Sequence, residues 1–419
     1  MKSAIFKIAF LVGISSPILS YAYPIDGYLL TGVRRLFRLS LVQEGVIKDT
    51  PPIIGATKSL NDIELLLYQT PQADTLNTLP PTDQELQKSL NGLFPNLHES
   101  YSIALLDISA GKKIRYAKRQ EDRGFQPGSV GKLAVIAGLF CELENLFPES
   151  FEARQAFLKN KMVRAGRWAI YDEHTVPFFD PDTKKFFKRQ VQENDVFSLY
   201  EWADHMLSVS NNGAASVVWR ESILMHVFGA DYLSLSTEQA EAYFKNTPKP
   251  DLAEIAIRVV NDPLRALGIS SDEWRLGTMF TRGATNYIPG KGGSIGTPTG
   301  LMKFLVAIER GVVIDPESSL EIKRLMYMTD RRIRYAANIA LKEAAVYFKS
   351  GSLYSCQPEE GYECGKYMGN SKNYMNSVAI VEWPDGTAYL VALMTNVLKK
   401  NSNIDHNVLG GRIDKIIHS

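Results

Sequence analysis

Strand-forming segments stand towards both ends of this chain, and helix-forming segments fill the middle. The strand segments are short runs of apolar and β-branched residues bounded by turn residues, and they span 102–108, 113–117, 346–354, 378–382 and 387–394. Between them, apolar residues recur at helical spacing, most clearly over 130–141. This order predicts an α/β (α+β) fold, with an antiparallel sheet built from both chain ends, packed helices and an inserted all-α lobe.

The first 22 residues predict a secretory signal peptide. Lys2 and Lys7 make its start basic, residues 8–14 are apolar, and Ala22 is a small residue at the cleavage position. The apolar run is short for a bilayer span, and no later run is long and apolar enough for one. We expect cleavage, no integral membrane span in the mature chain, and a periplasmic or secreted location. An uncleaved anchor is the alternative.

Residues 23–81 predict an N-terminal extension and linker, and residues 82–419 predict the main domain. The segment 32–43 has the pattern of a basic amphipathic helix. Such a helix could lie on a membrane surface or pack on the main domain, and we favour packing. At the start of the main domain, Thr82 followed by Glu85 predicts a capping box that opens a helix.

The net charge and the histidine content limit which partners, such as nucleic acids or metal ions, the chain is expected to bind. The 419 residues hold 47 Lys and Arg against 46 Asp and Glu, a net charge of +1, so nothing favours nucleic acid. The six histidines lack the spacing of metal ligands, and we expect no metal and no cofactor.

Cys356 and Cys364 flank a short polar loop and could pair in an oxidising compartment. Cys141, in an apolar helix, is expected to be a buried small hydrophobe.

Ser129 and Lys132 lie one helical turn apart at the start of the apolar helix. Positions i and i+3 share a helix face, so the Lys132 amine can reach the Ser129 hydroxyl. A serine hydroxyl becomes a good nucleophile when a base takes its proton, and an amine desolvated among apolar neighbours favours its neutral, basic form. The pair therefore predicts a nucleophile and its base. A solvent-exposed surface pair is the plain alternative.

Two other interpretations of this segment fail on residue identity. A phosphate-binding P-loop needs Gly-x-x-x-x-Gly-Lys-Ser/Thr, but Gln126 stands at the first glycine and Leu133 follows the lysine. A nucleophile elbow needs Gly-x-Ser-x-Gly, and Pro127 occupies its first position.

A second motif, Ser210-Asn211-Asn212, follows an amphipathic segment and opens another helix. By itself it is also compatible with a plain polar turn.

A third motif, Lys349 to Ser352, lies on a predicted strand. There a cationic lysine and the hydroxyls of Ser350 and Ser352 could bind a carboxylate. Gly351 has no side chain, so a ligand backbone could approach the strand closely. An edge strand with a bulge is the alternative interpretation.

In this order and in these contexts, the three motifs resemble the S-x-x-K, S-D-N and K-T-G signatures of the penicillin-recognising serine hydrolases. These include class A β-lactamases and the D,D-peptidases called penicillin-binding proteins. The resemblance covers residues 82–419 and implies the β-lactamase/transpeptidase-like fold. It implies three catalytic residues, namely the nucleophile Ser129, the base Lys132 and the proton relay Ser210. It also implies substrate binding by Asn212, Lys349, Ser350, Gly351 and Ser352, with the backbone N–H groups of Ser129 and Ser352 as the oxyanion hole.

The chain departs from the family pattern in two places. Asn211 replaces the aspartate of S-D-N, at a position that mainly supports the loop. The E-x-x-L-N pattern, whose glutamate activates the deacylating water in class A β-lactamases, is missing between Asn212 and Thr297. Glu273 is the nearest carboxylate candidate there. Without that base, we expect acylation to be faster than deacylation.

The sequence thus predicts a secreted active-site-serine hydrolase of class A β-lactamase type, which acts through an acyl-enzyme on β-lactams or similar amides. One alternative is a D-Ala-D-Ala peptidase acting on peptidoglycan, which the missing glutamate favours. Another is a penicillin-binding sensor that is acylated without turnover. In each case the partner is a small β-lactam or a D-Ala-D-Ala-type peptide.

Overall fold

The structure, a computed structural model, describes residue 24 and residues 26–49, 53–330 and 332–419. The predicted signal peptide, residues 1–22, lies outside this part of the chain. The strands are β1 (Ser102–Asp107), β2 (Arg115–Arg119), β3 (Met162–Arg164), β4 (Thr175–Phe179), β5 (Phe186–Gln190), β6 (Val196–Ser198), β7 (Trp274–Arg275), β8 (Ile295–Gly296), β9 (Ala345–Ser355), β10 (Lys372–Glu382) and β11 (Ala388–Asn396). The helices are α1 (Gly27–Thr31), α2 (Arg34–Gln43), α3 (Pro71–Thr75), α4 (Gln84–Asn91), α5 (Lys132–Leu146), α6 (Phe151–Asn160), α7 (Leu199–Ser208), α8 (Asn212–Phe228), α9 (Thr237–Asn246), α10 (Lys249–Ala266), α11 (Arg282–Thr285), α12 (Pro298–Glu309), α13 (Pro316–Tyr327) and α14 (Asn403–His418). Within these ranges, none of the helices combines the length and apolar character that crossing a bilayer requires.

Five strands form one antiparallel sheet in the order β2-β1-β11-β10-β9. β1 and β2 precede the inserted lobe and β9 to β11 follow it, so the predicted sheet built from both chain ends is confirmed. In register, Ile103 of β1 stands opposite Leu393 of β11, and Gly351 of β9 stands opposite Asn376 of β10. β9 therefore forms one edge of the sheet, and this edge borders the site described below.

Helices cover both faces of the sheet. Along β1, Ala104 and Leu106 belong to one buried cluster, whereas Ile103 and Leu105 belong to a second cluster. This alternation follows the two-residue period of a strand. The first cluster includes apolar residues of α5, α12 and α13, and the second includes those of α4 and α14. Since each fully buried aliphatic side chain contributes about 1.5–3 kcal/mol, central strands buried on both faces are largely apolar.

The inserted lobe contains two small two-stranded sheets besides its helices, so it is not all-α as predicted. β3 pairs with β6, and between them β4 and β5 form a hairpin. In this hairpin, Phe178 stacks on Phe187 with ring centroids 5.0 Å apart. The turn between these strands closes where the Asp180 carboxylate accepts from the backbone N–H groups of Asp182 and Thr183. Aromatic residues on both sides of such a turn favour strands over helix.

The predicted basic helix of the N-terminal segment is α2, and it packs on the inserted lobe. The Arg35 side chain is 2% exposed and donates from Nε and Nη2 to the two carboxylate oxygens of Asp204 on α7, each at 2.6 Å. Arg34 makes a similar paired contact with Glu201, one turn earlier on α7. Both arginines therefore contact helix α7, as we expected for a basic helix that packs on the main domain. Breaking a buried pair of this kind typically costs about 3–5 kcal/mol.

Helix α4 is capped by Asp83 and not by Thr82. The Asp83 carboxylate accepts from the backbone N–H of Leu86 at 3.0 Å. The prediction was therefore wrong by one residue, because aspartate caps a helix as well as threonine does. Glu85 lies in the first turn, where its charge is favourable to the helix dipole.

A disulfide joins Cys356 to Cys364, with their Cα atoms 6.1 Å apart. It closes the loop between β9 and β10. Cys141 is half-buried on α5 and has a free thiol, and burial raises the pKa of that thiol to about 11. Because the thiolate is the reactive form, Cys141 is expected to be inert.

We expect reduction of Cys356–Cys364 to lower the free energy of unfolding by about 2–3 kcal/mol, the amount expected for a bond that closes a short loop of the unfolded chain. Urea unfolding with and without a reducing agent measures the change. The variant Cys141→Ala serves as the control, because it should respond to reduction as the wild type does. Equal unfolding midpoints for oxidised and reduced protein would contradict the prediction.

Candidate active site

A tight turn brings Ser129 to the start of helix α5, and strand β9 lies directly against this turn. Gly128 has a φ of +54°, in the left-handed region that favours glycine. A Cβ atom on Gly128 would lie 2.8 Å from Ser352 N, and one on Gly351 would lie 2.2 Å from Pro127 O. Both glycines are therefore required for the close approach of strand and turn.

A buried asparagine on β10 ties the same turn to the sheet. Asn376 Nδ2 donates to the backbone oxygens of Gln126 at 2.9 Å and Pro127 at 3.1 Å. Because Asn376 stands opposite Gly351, the missing glycine side chain leaves room for the turn. The sequence analysis did not identify Asn376, because β10 begins six residues before the strand predicted at 378–382.

Lys132 lies fully buried beneath Ser129 and contacts two of the three motifs. Its Nζ donates to Ser129 Oγ at 3.0 Å, to Ser210 O at 2.6 Å and to Asn212 Oδ1 at 2.7 Å. Burial lowers the pKa of Lys132 to about 7, and the charge of Asp172 opposes this lowering. An amine with this pKa can take up or release a proton near neutrality, as a general base must.

Ser210 joins helices α7 and α8 with a left-handed backbone, at a φ of 60°. A non-glycine residue keeps this conformation only where its surroundings hold it. Here the backbone carbonyl of Ser210 accepts from Lys132, and its hydroxyl accepts from Lys349 Nζ at 2.8 Å. Lys132 Nζ lies 3.3 Å from the same hydroxyl, which therefore stands between two lysine amines.

Asn211, the residue that departs from the S-D-N pattern, is buried and caps helix α8. Its Oδ1 accepts from the backbone N–H of Ala214 at 2.6 Å, and its Nδ2 donates to the carbonyl of His174 at 3.0 Å. An aspartate could make the first contact but not the second, because a carboxylate has no N–H group. Asn211 therefore holds the segment around His174 beside the motif.

Lys349 on β9 is buried, and its Nζ donates to Ser210 Oγ and to the carbonyl of Ser350. Burial lowers the pKa of Lys349 well below its usual range, and the charges of Lys132 and Arg334 lower it further. A carboxylate beside Nζ would favour the charged form again. Lys349 is thus suited to take a proton when an anion binds.

The structure brings all eight predicted site residues together. A cleft of about 470 Å³ is lined by Ser129, Asn212 and Ser352. An adjoining space is lined by Ser210, Lys349 and Ser350. Lys132 lies beneath Ser129, and Gly351 forms the contact between β9 and the turn.

Asp172 is a site residue that the sequence analysis missed. One carboxylate oxygen accepts from the Asn212 backbone N–H at 2.6 Å, and the other accepts from Asn212 Nδ2 at 3.1 Å and lies 2.7 Å from His174 Nδ1. Although burial raises the pKa of Asp172, the contacts with His174 and the Lys132 charge hold that pKa below its usual value. The ionised carboxylate orients the Asn212 amide, with Oδ1 towards Lys132.

The sequence analysis did not identify Arg334 either. It is buried, has a φ of 53°, and donates from Nη1 to the carbonyl of Gly351 at 2.9 Å. Its guanidinium lies over the ring of Tyr367, 5.2 Å from the centroid. Arg334 therefore fixes β9 beside the turn and adds a permanent positive charge behind Lys349.

Glu273, the candidate for the water-activating carboxylate, does not line the cleft. Its carboxylate contacts Lys303 Nζ at 2.5 Å and accepts from the backbone N–H of Ser270 at 2.8 Å. Phe280 stands near Lys132 instead, with its ring centroid 5.2 Å from Nζ. The prediction that Glu273 is the candidate for the deacylating base is therefore wrong.

The groups that the three motifs bring together suit acyl transfer. In the part of the chain that the structure describes, no three His, Cys, Asp or Glu side chains group closely enough to hold a metal ion. The hydroxyls of Ser129 and Ser210 both lie within hydrogen-bond distance of the low-pKa amine of Lys132. Groups of these kinds can serve as a nucleophile, its base and a proton-transfer partner.

The model of the beta-lactamase enzyme family matches residues 85–413 of the chain. No curated protein matches. Among solved structures, an ancestral (GNCA) class A β-lactamase is 16% identical with a TM-score of 0.50, covering 79% of this chain and 98% of its own. A β-lactamase from Sphaerobacter thermophilus is 12% identical (TM-score 0.49; 79% and 94% covered), and the protein PBP-A is 14% identical (TM-score 0.47; 80% and 97% covered). At these identities the structural likeness concerns the fold alone.

Proposed function

Since the chain belongs to the beta-lactamase enzyme family, we propose that it is a serine hydrolase that forms an acyl-enzyme at Ser129 with β-lactams or similar amides. The contact of Lys132 Nζ with Ser129 Oγ, at 3.0 Å, is the observation that supports this most directly. An amine whose pKa is lowered to about 7 thus lies against a serine hydroxyl that lines the cleft, which supports a base next to a nucleophile.

Acylation begins when neutral Lys132 accepts the Ser129 proton while Oγ attacks the substrate carbonyl carbon. The carbonyl oxygen becomes an oxyanion, which the backbone N–H groups of Ser129 and Ser352 would stabilise; donors of this kind are worth about 3–4 kcal/mol. The C–N bond then breaks, and the leaving nitrogen takes a proton through Ser210. The result is a Ser129 ester and a free amine.

Substrate recognition rests on the two sides of the cleft. On one side, Lys349 and the hydroxyls of Ser350 and Ser352 would bind a substrate carboxylate. On the other side, the Asn212 amide would contact the amide of the acyl portion. Both β-lactams and D-Ala-D-Ala-type peptides offer a carboxylate next to the reacting nitrogen.

A D-Ala-D-Ala peptidase is the second candidate, and one observation favours it. Phe280 lies beside Lys132, and Glu273 is paired with Lys303 away from the cleft. A water facing the ester would then lack a carboxylate base on that side, so a β-lactam ester would last longer than in an efficient lactamase. A sensor that is acylated without turnover is distinguished from both by the absence of repeated hydrolysis.

We also propose a periplasmic or secreted location. The signal-like first 22 residues and the Cys356–Cys364 disulfide support this, because disulfides persist in oxidising compartments. Finding the full-length precursor in a cytosolic fraction of the native host, with both thiols reduced, would oppose it.

Intact-protein mass spectrometry with excess benzylpenicillin, followed over time, tests the proposed function. We expect an adduct of the whole antibiotic mass that maps to Ser129 by peptide analysis. A long-lived adduct supports the peptidase or sensor, and a transient one with accumulating hydrolysed penicillin supports the lactamase. No adduct with penicillin and no hydrolysis of D-Ala-D-Ala peptides would overturn the proposal.

Asp172→Asn should move the acid limb of the acylation pH profile to lower pH. The Asp172 charge raises the pKa of Lys132, so its removal favours the neutral amine at lower pH. The plateau rate should fall roughly tenfold, since Asn212 loses a hydrogen bond to a charged group worth about 1.5–3 kcal/mol. Stopped-flow acylation across pH measures both changes. Asp180→Asn, in an exposed turn, is the matched control, and a limb shifted to higher pH would contradict the prediction.

A further inference from the structure

The inserted lobe contains a cavity that is separate from the cleft over Ser129. This lobe cavity is bounded mainly by residues 161–168, 220–224, 232–249 and 286–287. Its volume of about 620 Å³ falls within the range of about 300–1,000 Å³ that small-molecule sites occupy. Its lining residues differ from those of the cleft and of the adjoining space beside Ser210. A ligand in the lobe cavity would therefore leave the Ser129 site open to substrate.

The buried part of the cavity lining is aromatic and apolar. Trp168 stacks on Tyr287 with ring centroids 4.6 Å apart, and Phe244 meets Trp168 edge-on with centroids 4.7 Å apart. Leu224 and Tyr232 add two further buried side chains to the lining. A flat apolar group suits such a surface, because it exchanges contact with water for contact with ring edges and methyl groups.

The charged side chains of the lining are mainly basic. Six basic residues line the cavity against three acidic ones, and two of the acids already have basic partners. Glu221 contacts Arg220 at 2.7 Å, and Glu193 lies 3.8 Å from Arg167. The third acid, Glu241, lies on α9. The cavity therefore carries an excess of positive charge.

Three lysines account for most of this excess. Lys245 near the end of α9 and Lys249 at the start of α10 are exposed, and neither forms an ion pair within the residues that the structure describes. The Lys161 ammonium lies over the ring of Tyr232, 4.7 Å from its centroid. A neutral ligand would leave these ammonium groups to water alone, and a cationic ligand would be repelled. An anionic group matches them.

We propose that the lobe cavity binds a small amphiphilic anion, a molecule with a flat apolar body and a carboxylate, sulfonate or phosphate group. The apolar body packs on Trp168 and Phe244, and the anionic group faces Lys245 and Lys249. This inference goes beyond the proposed function and does not depend on it, since none of these four residues lines the cleft over Ser129.

Fluorescence titration with 8-anilinonaphthalene-1-sulfonate, an apolar ring system with one sulfonate, tests the proposal. We expect saturable binding at one site, and about tenfold weaker binding of N-phenyl-1-naphthylamine, which has the same rings without the sulfonate. Lys245→Met and Lys249→Met should each weaken binding of the sulfonate about threefold, the effect of losing an exposed ion pair. Glu241→Gln removes a repelling charge and should bind at least as tightly as the wild type. Lys112→Met, in an exposed turn outside the cavity, is the matched control.

Two further measurements locate the dye. Ala240→Trp places a large side chain in the lining and should abolish binding, with the thermal midpoint as the check on folding; should it not fold, the lysine variants decide. Ser129→Ala should bind the dye as the wild type does. Displacement of the dye by benzylpenicillin would place it in the Ser129 cleft and overturn the lobe cavity as its site.

Equal affinity for the charged and uncharged dyes, or binding that both lysine variants leave unchanged, would also overturn the inference. Dye binding that follows the lysine variants in a protein that benzylpenicillin never labels would support the lobe cavity while opposing the proposed function. The two proposals therefore fail separately.

Discussion

Ser129→Ala should abolish covalent labelling by a fluorescent penicillin and remove any hydrolysis of amide substrates. The alanine has no oxygen to form the ester, and loss of a nucleophilic serine typically reduces kcat by about 10⁶-fold. Labelling on denaturing gels gives the first readout, and release of product over hours gives the second. Labelling of the variant at the wild-type level would mean that another side chain is acylated.

The fold should survive this substitution, which makes the result interpretable. Lys132 Nζ keeps its contacts with Ser210 O and Asn212 Oδ1 when the Ser129 hydroxyl is lost. We expect the thermal midpoint of Ser129→Ala to stay close to that of the wild type. Ser371→Ala removes an exposed hydroxyl that lines neither the cleft over Ser129 nor the adjoining space beside Ser210, and it should retain both labelling and stability.

The parts of this molecule that sequence could predict are those fixed by short spacings. Ser129 and Lys132 share a helix face whatever the rest of the chain does, and strand patterns at 102–108 and 387–394 identify the two halves of the sheet. Their pairing follows because apolar strands at both ends of a domain must be buried together. The strands of the inserted lobe were harder to predict, because they are short, β3 pairs with the distant β6, and the β4–β5 hairpin depends on the turn at Asp180.

The residues that sequence could not predict act through long-range contacts. Asp172 reaches Asn212 across 40 positions, and Arg334 reaches the carbonyl of Gly351 from the start of a short 3-10 helix, 17 positions away. Glu273 was considered because it fell in the right interval of the sequence, but its partner Lys303 holds it elsewhere. Spacing locates a candidate charge along the chain. Only the packing of separate elements decides which charges face the same space.

Lys132→Arg should reduce acylation by about 10²- to 10⁴-fold, the usual contribution of a general base. Arginine keeps a positive charge near Ser129 but does not release its proton, since a guanidinium stays protonated in proteins. The variant therefore separates proton transfer from charge stabilisation. If Lys132 acted only as a cation, Lys132→Arg would acylate at nearly the wild-type rate, and that result would exclude the base role. Lys132→Met, which removes both functions, provides the lower limit.

The pH profile of the wild type gives an independent test of the same role. Lys132 is active as a base when neutral, so acylation should be lost as pH falls through its pKa of about 7 and should reach a plateau above it. The residual rate of Lys132→Arg should lack this limb. Rapid-mixing acylation by a chromogenic cephalosporin at a series of pH values distinguishes the two profiles. A wild-type rate that rises as pH falls below 7 would require a protonated Lys132, and Ser129 would then need another base.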